Sequence, residues 1–205
     1  MSEILRESGR DSRENSYIMK TIGLFSGAGG LSLGLKRAGF QVAACVELNR
    51  DAMDTYVSHE AGATHYNQDV RSVDFNRYRG VVEVVSGGPP CQPFSIGGLR
   101  KSQADSRDMI PEFVRCLREV QPEAFIMENV PGLMLKKTRL YFDSVIARLS
   151  ACGYRLNWAV LNSADYGVPQ KRKRLFIVGS KSMQLRFPAV ARLFPTALRA
   201  ELSVV

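Results

Sequence analysis

The chain has 205 residues, 45% of them hydrophobic, enough to bury one sizeable core and better suited to one domain than to two. No apolar run approaches the roughly 18 residues that a membrane helix needs, and residues 1–19 are mixed in charge rather than basic then apolar, so a cytoplasmic protein without membrane attachment is expected. Lys and Arg total 28 against 20 Asp and Glu, a formal charge of +8, and eight of the basic residues lie between Lys171 and Val205 with Glu201 as the single acid there, a distribution that suits an anionic partner and equally a solvated basic tail.

Residues 1–19 are polar and aperiodic, and they read as a flexible lead-in. From there apolar runs of strand length alternate with helical patterns: a strand over Thr21–Phe25, a helix over Leu31–Ala38, a strand over Val42–Val46 and a helix over Arg50–Ser58. A third strand is expected before Asp69, followed by a strand over Val81–Val85, a helix over Arg107–Val120, a strand from Ala124 and a helix over Leu140–Ala151. Two last strands, Leu156–Leu161 and Leu175–Val178, are separated by Gly167-Val168-Pro169 and a basic cluster that suits a hairpin. Continuous apolar strands separated by helices imply an α/β fold, a mostly parallel sheet covered on both faces with an antiparallel hairpin at its end. Residues 20–180 are expected to form this domain, and 181–205 an irregular tail in which Pro188 and Pro195 break helical patterning.

Two loops carry chemistry. The first, Phe25-Ser26-Gly27-Ala28-Gly29-Gly30, follows the first strand and opens into a helix, where glycines let a ligand approach the backbone. A tight strand-to-helix turn has the same composition. Glu47, with Leu48 beside it, ends the second strand, where a carboxylate can accept from both hydroxyls of a ribose, and Asp69 can take an adenine amino group. The loop lacks the full dinucleotide pattern and shows no pyrophosphate clamp, so an adenosine cofactor without pyrophosphate, such as S-adenosylmethionine, fits better than NAD.

The second loop, Ser86-Gly87-Gly88-Pro89-Pro90-Cys91-Gln92-Pro93, holds a cysteine between prolines at the carboxyl edge of the sheet. Cys45, Cys116 and Cys152 lie within regular elements, as buried small hydrophobes do, and none of the four shows a CxxC spacing or a nearby histidine that would indicate zinc. Cys91 is therefore the candidate nucleophile. The fifth strand ends in Glu128-Asn129, which brings a candidate acid to the same edge.

The segments LFSGAGG, VELNRDA, QDV, GGPPCQPFS, MENVPGL and LNSADYGVPQKRKRLFIVGS, in this order from Thr21 to Gly179, resemble the cytosine-C5 DNA methyltransferases. The resemblance implies a Rossmann-like methyltransferase fold and methyl transfer from S-adenosylmethionine to a cytosine flipped out of double-stranded DNA. It also implies roles. Cys91 would add as thiolate to C6 of the ring, Glu128 would contact N3 and the exocyclic amino group, Asn129 would hold the loop, and Arg172 and Arg174 would line the base pocket. For the cofactor, Phe25 would pack on adenine, Gly27, Gly29 and Gly30 would admit the methionine portion, Glu47 and Leu48 would meet the ribose, Asp69 the adenine, and Pro90 would border the transferred methyl. No metal is implied.

The sequence departs from the family pattern in two places. The acid that commonly precedes Leu-Phe is replaced by Gly23, and the target-recognition domain and later C-terminal motifs are absent after Ser180. A subunit of a split enzyme whose second polypeptide reads DNA, a shortened gene product and a fragment all fit, and the chain alone is expected to be poorly active. Competing readings are a noncatalytic DNA-binding remnant, a tRNA cytosine-C5 methyltransferase, and an NAD-dependent oxidoreductase, in which the PPCQ and ENV motifs would have no role.

Overall fold

A computed structural model describes residues 17–90 and 107–188. Its strands are β1 (Lys20–Leu24), β2 (Gln41–Val46), β3 (Thr64–Tyr66), β4 (Val84–Gly87), β5 (Ala124–Asn129), β6 (Arg155–Asn162) and β7 (Lys173–Ser180). They form one sheet in the order β3-β2-β1-β4-β5-β7-β6. The first five strands pair in parallel, and β7 runs antiparallel between β5 and β6. The expected α/β architecture and terminal hairpin are both present.

Helices α1 (Gly30–Arg37), α2 (Arg50–His59), α3 (Ile110–Val120) and α4 (Arg139–Ser150) cover the sheet. Alternation along β2 separates two apolar layers. Cys45 packs with Met53 and Tyr56 of α2, whereas Ala44 and Val46 join the larger cluster that contains Phe113 and Leu117 of α3 and Phe142 and Leu149 of α4. In α3 the buried residues Ile110, Phe113, Val114, Leu117 and Val120 recur at helical spacing, so one stripe faces the sheet. The Asn49 side chain caps α2 by accepting from Ala52 N–H at 2.9 Å.

Several boundaries differ from expectation, β7 for one running over Lys173–Ser180 rather than Leu175–Val178, and three have a local reason. The fourth strand begins at Val84 rather than Val81, because Gly80 (φ 71) turns the chain and the N–H groups of Val81 and Val82 bond back to Tyr78 O. α3 begins at Ile110 rather than Arg107: Pro111 suits a first turn, and Asp108 accepts from Ile110 N–H at 3.1 Å while its other oxygen takes the Tyr141 hydroxyl. β1 ends at Leu24, since Phe25 adopts a left-handed φ of 53° that no strand allows. The sequence pattern also gave no sign of the short 3-10 turns at Val70–Ser72, Asn76–Tyr78, Pro131–Met134, Lys136–Thr138 and Ser163–Tyr166, which are too brief to show a period.

The hairpin docks through a close approach at Gly179. A Cβ there would lie 2.3 Å from Phe125 Cε1 and 3.0 Å from Leu156 Cδ2. The Phe125 ring is fully buried and held edge-on by Tyr154 at 5.0 Å and Phe113 at 5.9 Å, so it has nowhere to move. Gly179→Ala is expected to cost about 1–3 kcal/mol by overpacking. Urea denaturation checks this, and an unchanged midpoint would contradict the packing.

Candidate active site

At the carboxyl edge of the sheet the loops after β1, β2, β3 and β4 surround a cavity of about 550 Å³, lined among others by Phe25, Glu47, Leu48, Asp69, Arg71 and Pro90. The edge lies where chain order reverses on either side of β1, the place where open α/β sheets bind ligands. Glu47 holds the floor. Its Oε2 accepts from Gly27 N–H at 2.7 Å and its Oε1 from Asn49 N–H at 2.8 Å, leaving one further lone pair on each oxygen.

The glycine loop is tied to Glu47 through the Gly27 N–H. Gly27 (φ 52) and Gly29 (φ 90) need left-handed backbone, and at Gly29 a Cβ would lie 2.6 Å from His59 Cε1 and 2.7 Å from Tyr56 Cδ2. Gly30 opens α1. His59 Nε2 meets Ala28 O at 2.7 Å, so the end of α2 is latched to the loop. A Cβ at Gly23 would meet only serine hydroxyls, Ser26 Oγ at 2.9 Å and Ser32 Oγ at 3.1 Å, among its nearest atoms.

Among the described residues the Asp69 carboxylate is held by Arg71: Oδ1 accepts from its backbone N–H and Nε at 2.9 and 3.0 Å, and Oδ2 from Nη2 at 2.5 Å. These bonds push the carboxyl down to about 2, so it stays ionised. The segment is anchored from below by Arg115, which donates to Val70 O at 2.8 Å and Val73 O at 3.2 Å while pairing with Glu112 at 2.7 Å and Glu119 at 2.8 Å. Sequence reading missed Arg71 and Arg115. Only the QDV context could have pointed to Arg71, and the spacing of Glu112, Arg115 and Glu119 on one helix face is an ordinary surface pattern.

Beside the cavity, Glu128 at the end of β5 pairs with Arg174 Nε of β7 at 2.7 Å, both about a quarter exposed, and a Cβ on Gly88 would lie 3.1 Å from Glu128 Oε2. Asn129 is buried; its Nδ2 donates to Pro89 O at 3.0 Å and its Oδ1 accepts from Val130 N–H at 2.8 Å. Arg172 is exposed, and its carbonyl accepts from Ser163 N–H at 3.0 Å. Cys91 lies outside the described residues. Its neighbour Pro90 lines the cavity, with its carbonyl accepting from Met109 N–H at 3.0 Å.

A sequence profile of the C-5 cytosine-specific DNA methylases matches residues 19–203. The chain belongs to this family. It is 44% identical over 155 residues to the Type II methyltransferase M.AplI of Arthrospira platensis, an alignment covering 76% of this chain and 44% of that protein. To the Type II methyltransferase M.NgoPII of Neisseria gonorrhoeae it is 32% identical, with 82% and 50% covered. A crystal structure described as a DNA modification methyltransferase encoded within an E. coli prophage superposes with a TM-score of 0.67 at 34% identity, covering 80% of this chain and 47% of that one. The chain thus spans about half the length of the relatives it matches.

Burial separates Cys45 and Cys116 from reactive chemistry, whereas Cys152, expected within a regular element, lies half-buried in the turn after α4. Burial pushes the Cys45 thiol up to about 11 and raises that of Cys116 well above the usual range. A raised thiol pKa means little thiolate at pH 8, so iodoacetamide is expected to leave both unmodified in the folded chain and to label both in urea. Labelling of either at the unfolded rate would contradict this assignment.

Proposed function

We propose that this chain carries the cofactor-binding and catalytic machinery of a DNA cytosine-C5 methyltransferase of the restriction-modification type. One observation supports this most: Pro90, the residue before Cys91, lines the same cavity as Phe25, Glu47 and Asp69, while the Glu128–Arg174 pair stands beside the adjoining Gly88. A methyl donor and an attacking thiol must act on adjacent atoms of one ring, and the residues leading into the cysteine loop, Gly88 and Pro90, border the cavity proposed for the donor.

The cavity fits S-adenosylmethionine. Glu47 keeps two free lone pairs for two ribose hydroxyls, Asp69 offers an acceptor to the adenine amino group, and Phe25 and Leu48 give apolar walls for the base. The glycine loop lacks the full dinucleotide pattern, which disfavours NAD. When bound, S-adenosylmethionine would supply an electrophilic sulfonium methyl, and Pro90 would border it.

In this mechanism Cys91, as thiolate, forms a bond to C6 of a cytosine flipped from duplex DNA, and the electron pair moves to make C5 nucleophilic. Glu128 holds a proton at N3 as that charge develops, and Arg174 orients the Glu128 carboxyl. Asn129 fixes Pro89 and with it the start of the cysteine loop. After methylation a base removes the C5 proton, the ring pair reforms the double bond, and the bond from C6 to Cys91 breaks. Arg172, with the basic residues around it, meets phosphate.

Two experiments test this reading. DNA containing 5-fluorocytosine keeps a fluorine where the proton must leave, so the wild-type chain with S-adenosylmethionine is expected to form a denaturation-resistant adduct and Cys91→Ser none; an adduct in the variant would remove Cys91 from the mechanism. Glu47→Ala is expected to weaken S-adenosylhomocysteine binding by about tenfold or more, and calorimetry giving an unchanged affinity would remove Glu47 from the site.

A further inference from the structure

Arg71 stands in the cavity wall next to Asp69 and spends its fork on that carboxylate. The three bonds are unevenly divided. Oδ1 receives two, from the Arg71 backbone N–H at 2.9 Å and Nε at 3.0 Å, and Oδ2 receives one, from Nη2 at 2.5 Å. A carboxylate offers about four lone-pair sites, two on each oxygen. One remains, on Oδ2. The bidentate grip also fixes the plane of the group, because rotating the carboxylate would break two charge-assisted bonds at once.

We propose that Arg71 is a positioning residue that presents Asp69 as a fixed, single acceptor and thereby sets the cavity's preference for a 6-amino over a 6-keto purine. The proposal rests on the reading that the cavity takes an adenosine cofactor with its base at Asp69. A 6-amino group brings an N–H to the remaining lone pair. A 6-keto group brings a second oxygen lone pair against a negative oxygen, which is repulsive. Without the fork, the Asp69 carboxylate stays ionised but is free to turn away from the base, so it neither favours the amino group nor repels the keto oxygen from a fixed place, and the preference falls.

The turn itself does not need the Arg71 side chain. Ser72 donates to Asp69 O through its N–H at 3.0 Å and its hydroxyl at 2.7 Å, and Arg115 holds Val70 O at 2.8 Å. The Arg71 side chain is 54% exposed, so its removal empties no core and an ion pair of that exposure adds little to stability.

The test titrates the purified full chain with S-adenosylhomocysteine and with S-inosylhomocysteine by calorimetry, for wild type, Arg71→Ala, Arg71→Gln and Asp69→Ala, with circular dichroism to check folding. Wild type is expected to prefer the adenosyl ligand by about tenfold or more, since a site built around one acceptor rejects the wrong partner. Both Arg71 variants and Asp69→Ala are expected to bring the ratio of affinities close to one. If the Arg71 variants weaken both ligands equally and keep the ratio while Asp69→Ala loses it, Asp69 reads the base but Arg71 does not position it, and the proposal is overturned. If Asp69→Ala keeps the wild-type ratio, or wild type binds neither ligand, the cofactor reading falls and the proposal with it.

Discussion

β1 is bonded in parallel to β2 on one side and to β4 on the other, with Leu24 opposite both Val46 and Gly87. That pairing brings three strand ends to one level. The approach of β1 to β4 is close enough that a Cβ on Gly87 would lie 2.6 Å from Leu24 O, so the residue ending β4 has to be glycine. From these ends the chain leaves the sheet as Phe25, Glu47 and Gly88, all of which line one cavity. Every later feature of the site hangs on that alignment.

Above the sheet, polar groups take over from apolar packing. Glu47 joins the loop after β1 to the start of α2 by accepting from Gly27 and Asn49, and His59 joins the far end of α2 to the same loop through Ala28 O. Arg115 ties the segment after β3 to α3, whose approach begins at Met109 bonded to Pro90 O. On the other side, Asn129 links the end of β5 to Pro89, and Arg174 of β7 links to Glu128. The antiparallel strand thus has a use beyond closing the sheet, since it delivers a guanidinium to a carboxylate that the parallel strands alone would leave without one.

Much of this was legible in the sequence. The alternation of apolar runs and helical stripes marked each helix and nearly each strand, because buried parallel strands and amphipathic helices leave strong periodic patterns. Cavity residues such as Phe25, Glu47 and Asp69 were legible because they follow strands directly and topology fixes where strands end. What escaped is local or tertiary. The start of β4 depends on a turn at Gly80, the start of α3 on an aspartate side chain, and the 3-10 turns on two or three hydrogen bonds each. Arg71 and Arg115 escaped because a guanidinium's partner is set by where the fold carries it. Cys91, the residue on which the sequence reading leaned most, lies outside the described residues.

The central proposal is that the aligned ends of β1, β2 and β4, together with the segment after β3, build one cofactor site. Hydrogen exchange with and without S-adenosylhomocysteine tests it most directly, because it reads each backbone segment separately. The account predicts added protection together in residues 25–30, 46–49 and 68–71, with β6 and the outer end of the hairpin unchanged. Protection confined to one of those segments, or centred on β6 and β7, would contradict it.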